Sequence, residues 1–136
     1  RYAGDRAALE KTMADAPTAR EAVAGMLRGA AMLYTGDATP PGCLLASAAA
    51  TGSPEAAEVR AAVAAERRAV RDIIMRRIKV DIVKGLMPSD TRPDTLADLT
   101  LAVTQGMSVL ARDGADRARL LAVAETATTG WRTCNV

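Results

Sequence analysis

Few side chains in this 136-residue chain could do chemistry, and their spacing predicts neither a catalytic site nor a metal site. Histidine is absent, which excludes a His-based general base, a catalytic triad and a His metal site. Cys43 and Cys134 are far apart and form no CxxC pair. We expect free thiols in a reducing cytosol, with a disulfide as the open alternative. Paired carboxylates such as Glu55 and Glu58 stand where helices should begin, and there they complement the helix dipole. We therefore expect no metal and no cofactor.

The longest run of basic residues predicts a solvated helix face. Glu66, Asp72 and Asp81 interleave with its positive charges, and the whole chain carries only +2 from 18 basic and 16 acidic residues. No aromatic residue lies within the run, so it lacks the pattern of a surface that binds single-stranded nucleic acid. The basic residues of this run are Arg67, Arg68, Arg71, Arg76, Arg77 and Lys79.

The composition indicates one all-α domain spanning residues 1–136. Hydrophobic residues make up 49% of the chain, aromatic residues only 2%, and Phe is absent, which is poor material for strands and good material for helices. No apolar run is long enough to cross a bilayer and no signal peptide opens the chain, so we expect a cytoplasmic protein with no membrane partner. The first residue is Arg1 and not Met, which leaves room for a missing segment upstream.

Proline, glycine and helix caps divide the chain into a bundle of about six helices. Thr18-Ala-Arg-Glu21 is a capping box, Ser53-Pro54 is a helix start, and Gly85 is a C-terminal cap. The stretch from Ile78 to Ile82 alternates like a short strand, but no partner strand exists elsewhere, so we extend the helix through it to about Lys84. The predicted helices are 2–14, 18–36, 43–50, 54–84, 93–114 and 115–132.

The fifth predicted helix carries two different stripes, which indicates two packing surfaces. A bulky stripe would face the domain core, and a mixed small and apolar stripe would face a partner subunit. The alternative for the second stripe is a partly exposed, alanine-rich surface. The bulky stripe is Leu96, Leu99, Val103, Met107 and Leu110, and the mixed stripe is Leu101, Gln105, Ser108 and Arg112.

A series of short motifs follows in order along nearly the whole chain. They are Gly42-Cys-Leu-Leu45 after a proline loop, the long charged helix ending at Gly85, Leu96-Ala97 after a Pro/Asp-rich loop, Gln105-Gly-Met107, Ala111-Arg-Asp-Gly114, Arg117-Ala-Arg-Leu120 and Trp131. In this order and spacing the chain resembles the C-terminal ligand-binding and dimerisation domain of TetR/AcrR-type bacterial transcriptional repressors.

The resemblance implies a function in transcription. The family's DNA-reading helix-turn-helix would precede Arg1, and residues 1–14 would be the helix that joins it to this domain. Operator DNA would be contacted only through that missing part. The long helix and its neighbours would enclose a pocket for a small apolar inducer, which would alter the DNA affinity. The last two helices would pair with a second copy in a four-helix homodimer.

Two sets of residues are the candidates for these roles. A homodimeric adaptor without a ligand, and a small enzyme acting through Cys43, are the alternative functions. The pocket candidates are Met26, Leu33, Cys43, Val70, Ile74, Val103 and Met107, with Glu66 and Thr104 as polar anchors. The dimer candidates are Leu101, Gln105, Ser108, Val109, Arg112, Leu120, Val123 and Ala127.

Overall fold

The computed structural model describes residues 2–36 and 53–134, and within these ranges all regular structure is helical. This confirms the predicted all-α fold. The helix predicted at 43–50 lies outside the described residues. The helices are α1 (Tyr2–Asp15), α2 (Ala19–Tyr34), α3 (Pro54–Val83), α4 (Pro93–Arg112) and α5 (Arg117–Thr129).

Local capping chemistry determines where most of these helices begin and end. The Ser53 hydroxyl accepts a hydrogen bond from the Ala56 amide at 3.1 Å, so α3 begins at Pro54 as predicted. Its far end also agrees with the prediction, since Ile78–Ile82 is helical and Gly85 takes the left-handed backbone conformation with a φ of 76°. The last helix begins two residues later than predicted because the Asp116 carboxylate caps it, accepting from the Arg119 amide at 2.9 Å, and it ends at Thr129.

The first turn of α2 offers a direct test of one such cap. The Thr18 hydroxyl accepts a hydrogen bond from the Glu21 amide at 3.1 Å. We expect Thr18→Ala to lower the free energy of unfolding by about 1 kcal/mol, because the amide loses its acceptor. Thr126→Ala is the matched control, since Thr126 lies inside α5 and its hydroxyl only donates to the Ala122 carbonyl. Urea unfolding of both variants checks the prediction, and equal losses in the two would contradict it.

The core of the bundle forms around α2, which packs against each of the other four helices. Alanines fill much of its buried face, so that neighbouring helices can approach closely, while Val23 and Leu27 supply larger side chains. Helix α3 contributes Ile74 and Ile78 to the same core, and both side chains are fully buried. Within the described ranges, no helix is both long and apolar enough to cross a membrane.

Candidate functional site

Five of the predicted pocket residues belong to the apolar core of the bundle or pack against it. Ile74 of α3 and Met107 of α4 have no exposed surface and belong to the core itself. Met26, Val70 and Val103 are partly buried and pack against that core. The fold therefore places these side chains of α2, α3 and α4 in the same core, although their role in ligand binding stays a prediction.

The other predicted pocket residues are placed differently. The Thr104 hydroxyl donates to the carbonyl of Leu101 in its own helix at 2.8 Å. Glu66 lies 3.5 Å from Arg6 of α1, between carboxylate and guanidinium atoms. Leu33 is 55% exposed, and Cys43 lies outside the described residues. The two proposed polar anchors are thus already engaged within the protomer.

Among the surface clefts between described residues are three that no predicted pocket residue lines. One cleft of about 570 Å³ lies between α2 and the end of α5, where Arg28 and Glu125 line it with the exposed free thiol of Cys134. A cleft of about 280 Å³ lies between α1 and α3 beside Arg76. The third, about 260 Å³, borders Trp131. Across the described part of the chain, no three potential metal ligands come together.

Part of the predicted dimer surface is buried inside the protomer, which corrects the sequence interpretation. Ser108 is 1% exposed and Leu120 is fully covered. Gln105 accepts a hydrogen bond from Arg67 of α3 at 3.0 Å, so it faces the long helix. Of the remaining candidates, Leu101, Val123 and Ala127 are half-buried, while Val109 and Arg112 are exposed.

The exposed apolar stripe of α4 has a different phase from the one predicted. Leu99 and Val109 are 44% and 45% exposed, and Ala102 and Gly106 lie between them on the surface. Their spacing of three, four and three residues keeps all four on one side of the helix. We call Leu99, Ala102, Gly106 and Val109 the α4 stripe. The prediction that Leu99 faces the core is therefore wrong.

Gly106 is the residue of the α4 stripe that packing within the protomer does not explain. A glycine inside a helix costs about 1 kcal/mol relative to alanine. A Cβ atom built on Gly106 would meet no atom within 4 Å, so the protomer has room for a side chain there. On α5, Ala118 and Ala122 are likewise exposed and small, one turn apart. These helices therefore present small residues to solvent, where another helix could approach closely.

Helix α3 carries a buried ion pair, although its run of charged residues predicted a solvated face. Arg77 and Asp81 are one turn apart, and their side chains are only 12% and 1% exposed. The Arg77 Nη2 and Asp81 Oδ1 atoms are 3.1 Å apart. Asp81 Oδ2 accepts a hydrogen bond from the Ala19 amide at 2.6 Å, and Arg77 Nη1 donates to the Met13 carbonyl at 2.9 Å.

An exposed ion pair joins α3 to α4 and should make stability depend on pH. Arg71 Nε and Nη2 donate to the two carboxylate oxygens of Asp98 at 2.7 and 3.3 Å, and this hydrogen bonding lowers the pKa of Asp98 below its ordinary value. Its contribution is therefore present above about pH 4 and is lost as the pH falls through the lowered pKa. We expect urea unfolding of wild type and Asp98→Asn to differ slightly at pH 7 and to converge at pH 2. A difference that persists unchanged at pH 2 would contradict this.

Comparison with known proteins supplies the remaining observation. No protein-family profile and no curated protein matches the chain. Among solved structures, a cysteine mutant of the TetR family transcriptional regulator CifR, complexed with 26-bp double-strand operator DNA, is 39% identical with a TM-score of 0.85. That match covers 96% of this chain and 69% of the CifR chain. A protein from Rhodococcus sp. RHA1 described as a TetR transcriptional regulator is 32% identical with a TM-score of 0.79, covering 93% of this chain and 66% of its own.

Proposed function

This chain belongs to the TetR family of transcriptional regulators, and from that premise we propose that it is the effector-binding and dimerisation part of such a regulator. It is a regulator and not an enzyme, so the thiol-dependent enzyme considered from Cys43 is set aside. The observation that carries the more specific proposal is the α4 stripe, an exposed face of small and apolar residues with an otherwise unexplained glycine. Such a face fits a second copy of the chain.

We propose that DNA is bound by a segment equivalent to the part of the CifR chain that this sequence does not match. The CifR structure is a complex with operator DNA, and this chain spans 69% of that protein. We propose that a DNA-reading segment would be joined at the start of α1, as the sequence resemblance implies. A regulator of this kind acts in the bacterial cytoplasm, where its operator is found.

The proposed homodimer forms through α4 and α5. The α4 stripe and the exposed Ala118 and Ala122 of α5 would pack against their counterparts, since small residues permit helices to approach closely. Light scattering over a dilution series tests this directly. We expect a dimer that persists at low micromolar concentration, and a monomer throughout the series would overturn the proposal.

The proposed effector is a small apolar molecule that enters the cluster around Val70 and Val103. Both side chains are half-buried and pack against the core, so a ligand could insert beside them with modest side-chain movement. Binding to the folded state raises the melting temperature, and an effector that favours one arrangement of α1 would change DNA affinity. A thermal-shift screen of apolar compounds is therefore the first experiment.

A pair of variants locates any compound found in that screen. Val103→Phe should abolish the thermal shift because the larger ring occupies the proposed site. Val83→Phe is the control, since Val83 is 87% exposed at the end of α3, and it should leave the shift unchanged. An unchanged shift in Val103→Phe would contradict this location. A screen in which no compound stabilises the chain would favour the ligand-free adaptor, with which the complete packing of Ile74 and Met107 also agrees.

A further inference from the structure

The cleft beside Trp131 is lined by more hydrogen-bond donors than acceptors. It has a volume of about 260 Å³ and lies between the α3–α4 loop, the first turn of α4 and the segment after α5. Asp90 is the only carboxylate among the described residues that line it, and its Oδ1 atom is 2.5 Å from Nη2 of Arg132. The one acidic group is therefore already paired. The other polar side chains that line the cleft are Thr91, Arg92, Thr95 and Trp131.

The indole nitrogen of Trp131 is the group that points to a ligand. Trp131 is 7% exposed, and its Nε1–H has no hydrogen-bond partner within the described parts of the chain. An indole N–H can only donate, and nearly all buried polar groups in folded proteins have a partner. Since this side chain lines the cleft, an acceptor that enters the cleft is the partner available to it.

The backbone around Trp131 holds the indole beside the cleft. The Trp131 amide donates to the Thr128 carbonyl at 3.1 Å, which continues the hydrogen bonding of α5. The Cys134 amide donates to the Leu86 carbonyl at 2.8 Å, and the ion pair at Asp90 joins the same two segments. The segment after α5 is thus fastened to the α3–α4 loop, so the indole is positioned before any ligand binds.

The start of α4 adds positive potential to the cleft. The helix begins at Pro93, and Arg92 at its N-cap position makes no side-chain capping bond, since a guanidinium has no acceptor. Asp94 is the acidic residue of this turn, and its Oδ1 atom accepts from the Thr95 amide at 2.9 Å. Arg92 itself forms no ion pair with another described residue. An unpaired guanidinium and a helix N-terminus therefore both favour an anion here.

The apolar part of the lining determines what the rest of the ligand should be. Met87 is 3% exposed, Leu96 packs against the core, and the Trp131 ring borders the same space. Contact with these side chains favours a hydrocarbon chain over a purely polar anion. Sites for drug-sized ligands usually measure about 300 to 1,000 Å³. A cleft of about 260 Å³ therefore suits a ligand with only a few carbon atoms.

We propose that this cleft is a binding site for small apolar carboxylates of a few carbon atoms. The carboxylate accepts hydrogen bonds from the indole N–H of Trp131 and from Arg92, and its hydrocarbon chain lies against Met87 and Leu96. The site goes beyond the proposed function and is separate from the proposed effector cluster. Leu96 precedes Val103 by seven residues, which is about 10 Å along α4.

Titration with sodium butyrate, followed by protein fluorescence, tests the site directly. Trp131 is the only tryptophan of the sequence, so its emission reports on this cleft. We expect a saturable change in emission with butyrate, and at least about ten-fold weaker binding of butyramide, which has nearly the same shape but no charge. Inorganic phosphate, an anion without a hydrocarbon chain, should also bind at least about ten-fold more weakly. No saturable change with butyrate, or equal binding of either comparison compound, would overturn the proposal.

Two variants, titrated with butyrate by calorimetry, assign the donors. Arg92→Gln removes the charge of an exposed side chain, and Trp131→Phe keeps an aromatic ring but removes an N–H that has no partner among the described residues. Each should weaken butyrate binding at least about ten-fold. Arg28→Gln is the matched control, because Arg28 lines the cleft of about 570 Å³ and not this one, and it should leave binding unchanged.

Circular dichroism of the variants establishes that each is folded. Unchanged butyrate binding in either folded variant, or an equal loss in Arg28→Gln, would overturn the proposal. Arg92→Gln decides alone if Trp131→Phe does not fold, since Arg92 is exposed.

The outcome does not depend on the proposed function as a dimeric effector-binding domain. A chain that is monomeric by light scattering, or that no apolar compound stabilises, would contradict that function and leave the butyrate titration intact. Conversely, a dimer that binds an apolar effector but shows no saturable response to butyrate would retain the function and overturn the carboxylate site.

Discussion

Replacing Asp81 with alanine should lower the free energy of unfolding by about 3 to 5 kcal/mol, since removal of one partner from a buried ion pair leaves an uncompensated charge. The substitution leaves the Arg77 guanidinium without its counter-ion in a site where its side chain is only 12% exposed. It also removes the acceptor of the Ala19 amide, 2.6 Å away. Both losses destabilise the packing of α3 against the corner between α1 and α2. Together they amount to a large part of the free energy of unfolding that is typical of a domain of this size.

A double-mutant cycle separates the pair from its capping contacts. Arg77→Met alone should be comparably destabilising, because it strands a carboxylate that is 1% exposed. The double variant Arg77→Met/Asp81→Ala should lose clearly less than the sum of the single variants, since no unpaired charge remains. Asp98→Ala breaks an ion pair whose carboxylate side is 60% exposed and serves as the control with a small effect. Strictly additive losses at Arg77 and Asp81, measured by urea unfolding, would show that the two charges do not act as a pair.

The helix ends that were predicted correctly are those whose chemistry is local in sequence. Thr18 and Ser53 each bond to an amide three residues ahead, so the spacing of residues alone identifies them. Gly85 can be recognised because few other residues adopt its backbone conformation easily. In each case the partners lie within one helical turn, and no tertiary information is needed.

The exposed stripe of α4 could not be predicted, because the helix has apolar residues nearly all round. Leu96, Leu99, Leu101 and Val103 offer several equally good stripes. The structure instead turns Thr100, Thr104 and Ser108 towards the core, with each hydroxyl donating to a carbonyl of its own helix at 2.8 to 3.1 Å. These hydrogen bonds give each buried hydroxyl a partner, so burying it costs little free energy. Thr and Ser, which usually lie on the surface because a buried hydroxyl needs a partner, can therefore lie in the core here.

The buried ion pair was missed for a related reason. Arg77 and Asp81 have the same spacing as any solvated i, i+4 pair on a charged helix. Their contacts with Met13 and Ala19 are 64 and 62 residues away in sequence. Nothing in the charge pattern of this run distinguishes Arg77 and Asp81, which hydrogen-bond to the ends of α1 and α2, from the other charged residues. Only the packing of the α1–α2 corner against α3 selects them.

The substitution Gly106→Arg should convert the proposed homodimer to monomer by weakening association at least about 100-fold, which corresponds to about 3 kcal/mol. Gly106 lies in the middle of the α4 stripe, between Ala102 and Val109, and a Cβ there has open space in the protomer. The protomer should therefore fold normally, and its helix should even gain from the loss of glycine. In a symmetric dimer, however, two arginines would enter one interface, where the long side chains obstruct close packing and like charges repel.

Gly29→Arg is the matched control, because Gly29 is also an exposed helical glycine with no atom within 4 Å of an added Cβ. It lies on α2 and does not belong to the α4 stripe, so we expect it to leave the dimer intact. Light scattering of the two variants at equal concentrations, with circular dichroism to verify helix content, decides the matter. If Gly106→Arg remains a dimer, the α4 stripe is not the contact between copies. If both variants dissociate, the added positive charge and not its position is the cause. The proposed interface is supported if Gly106→Arg becomes a monomer while Gly29→Arg remains a dimer.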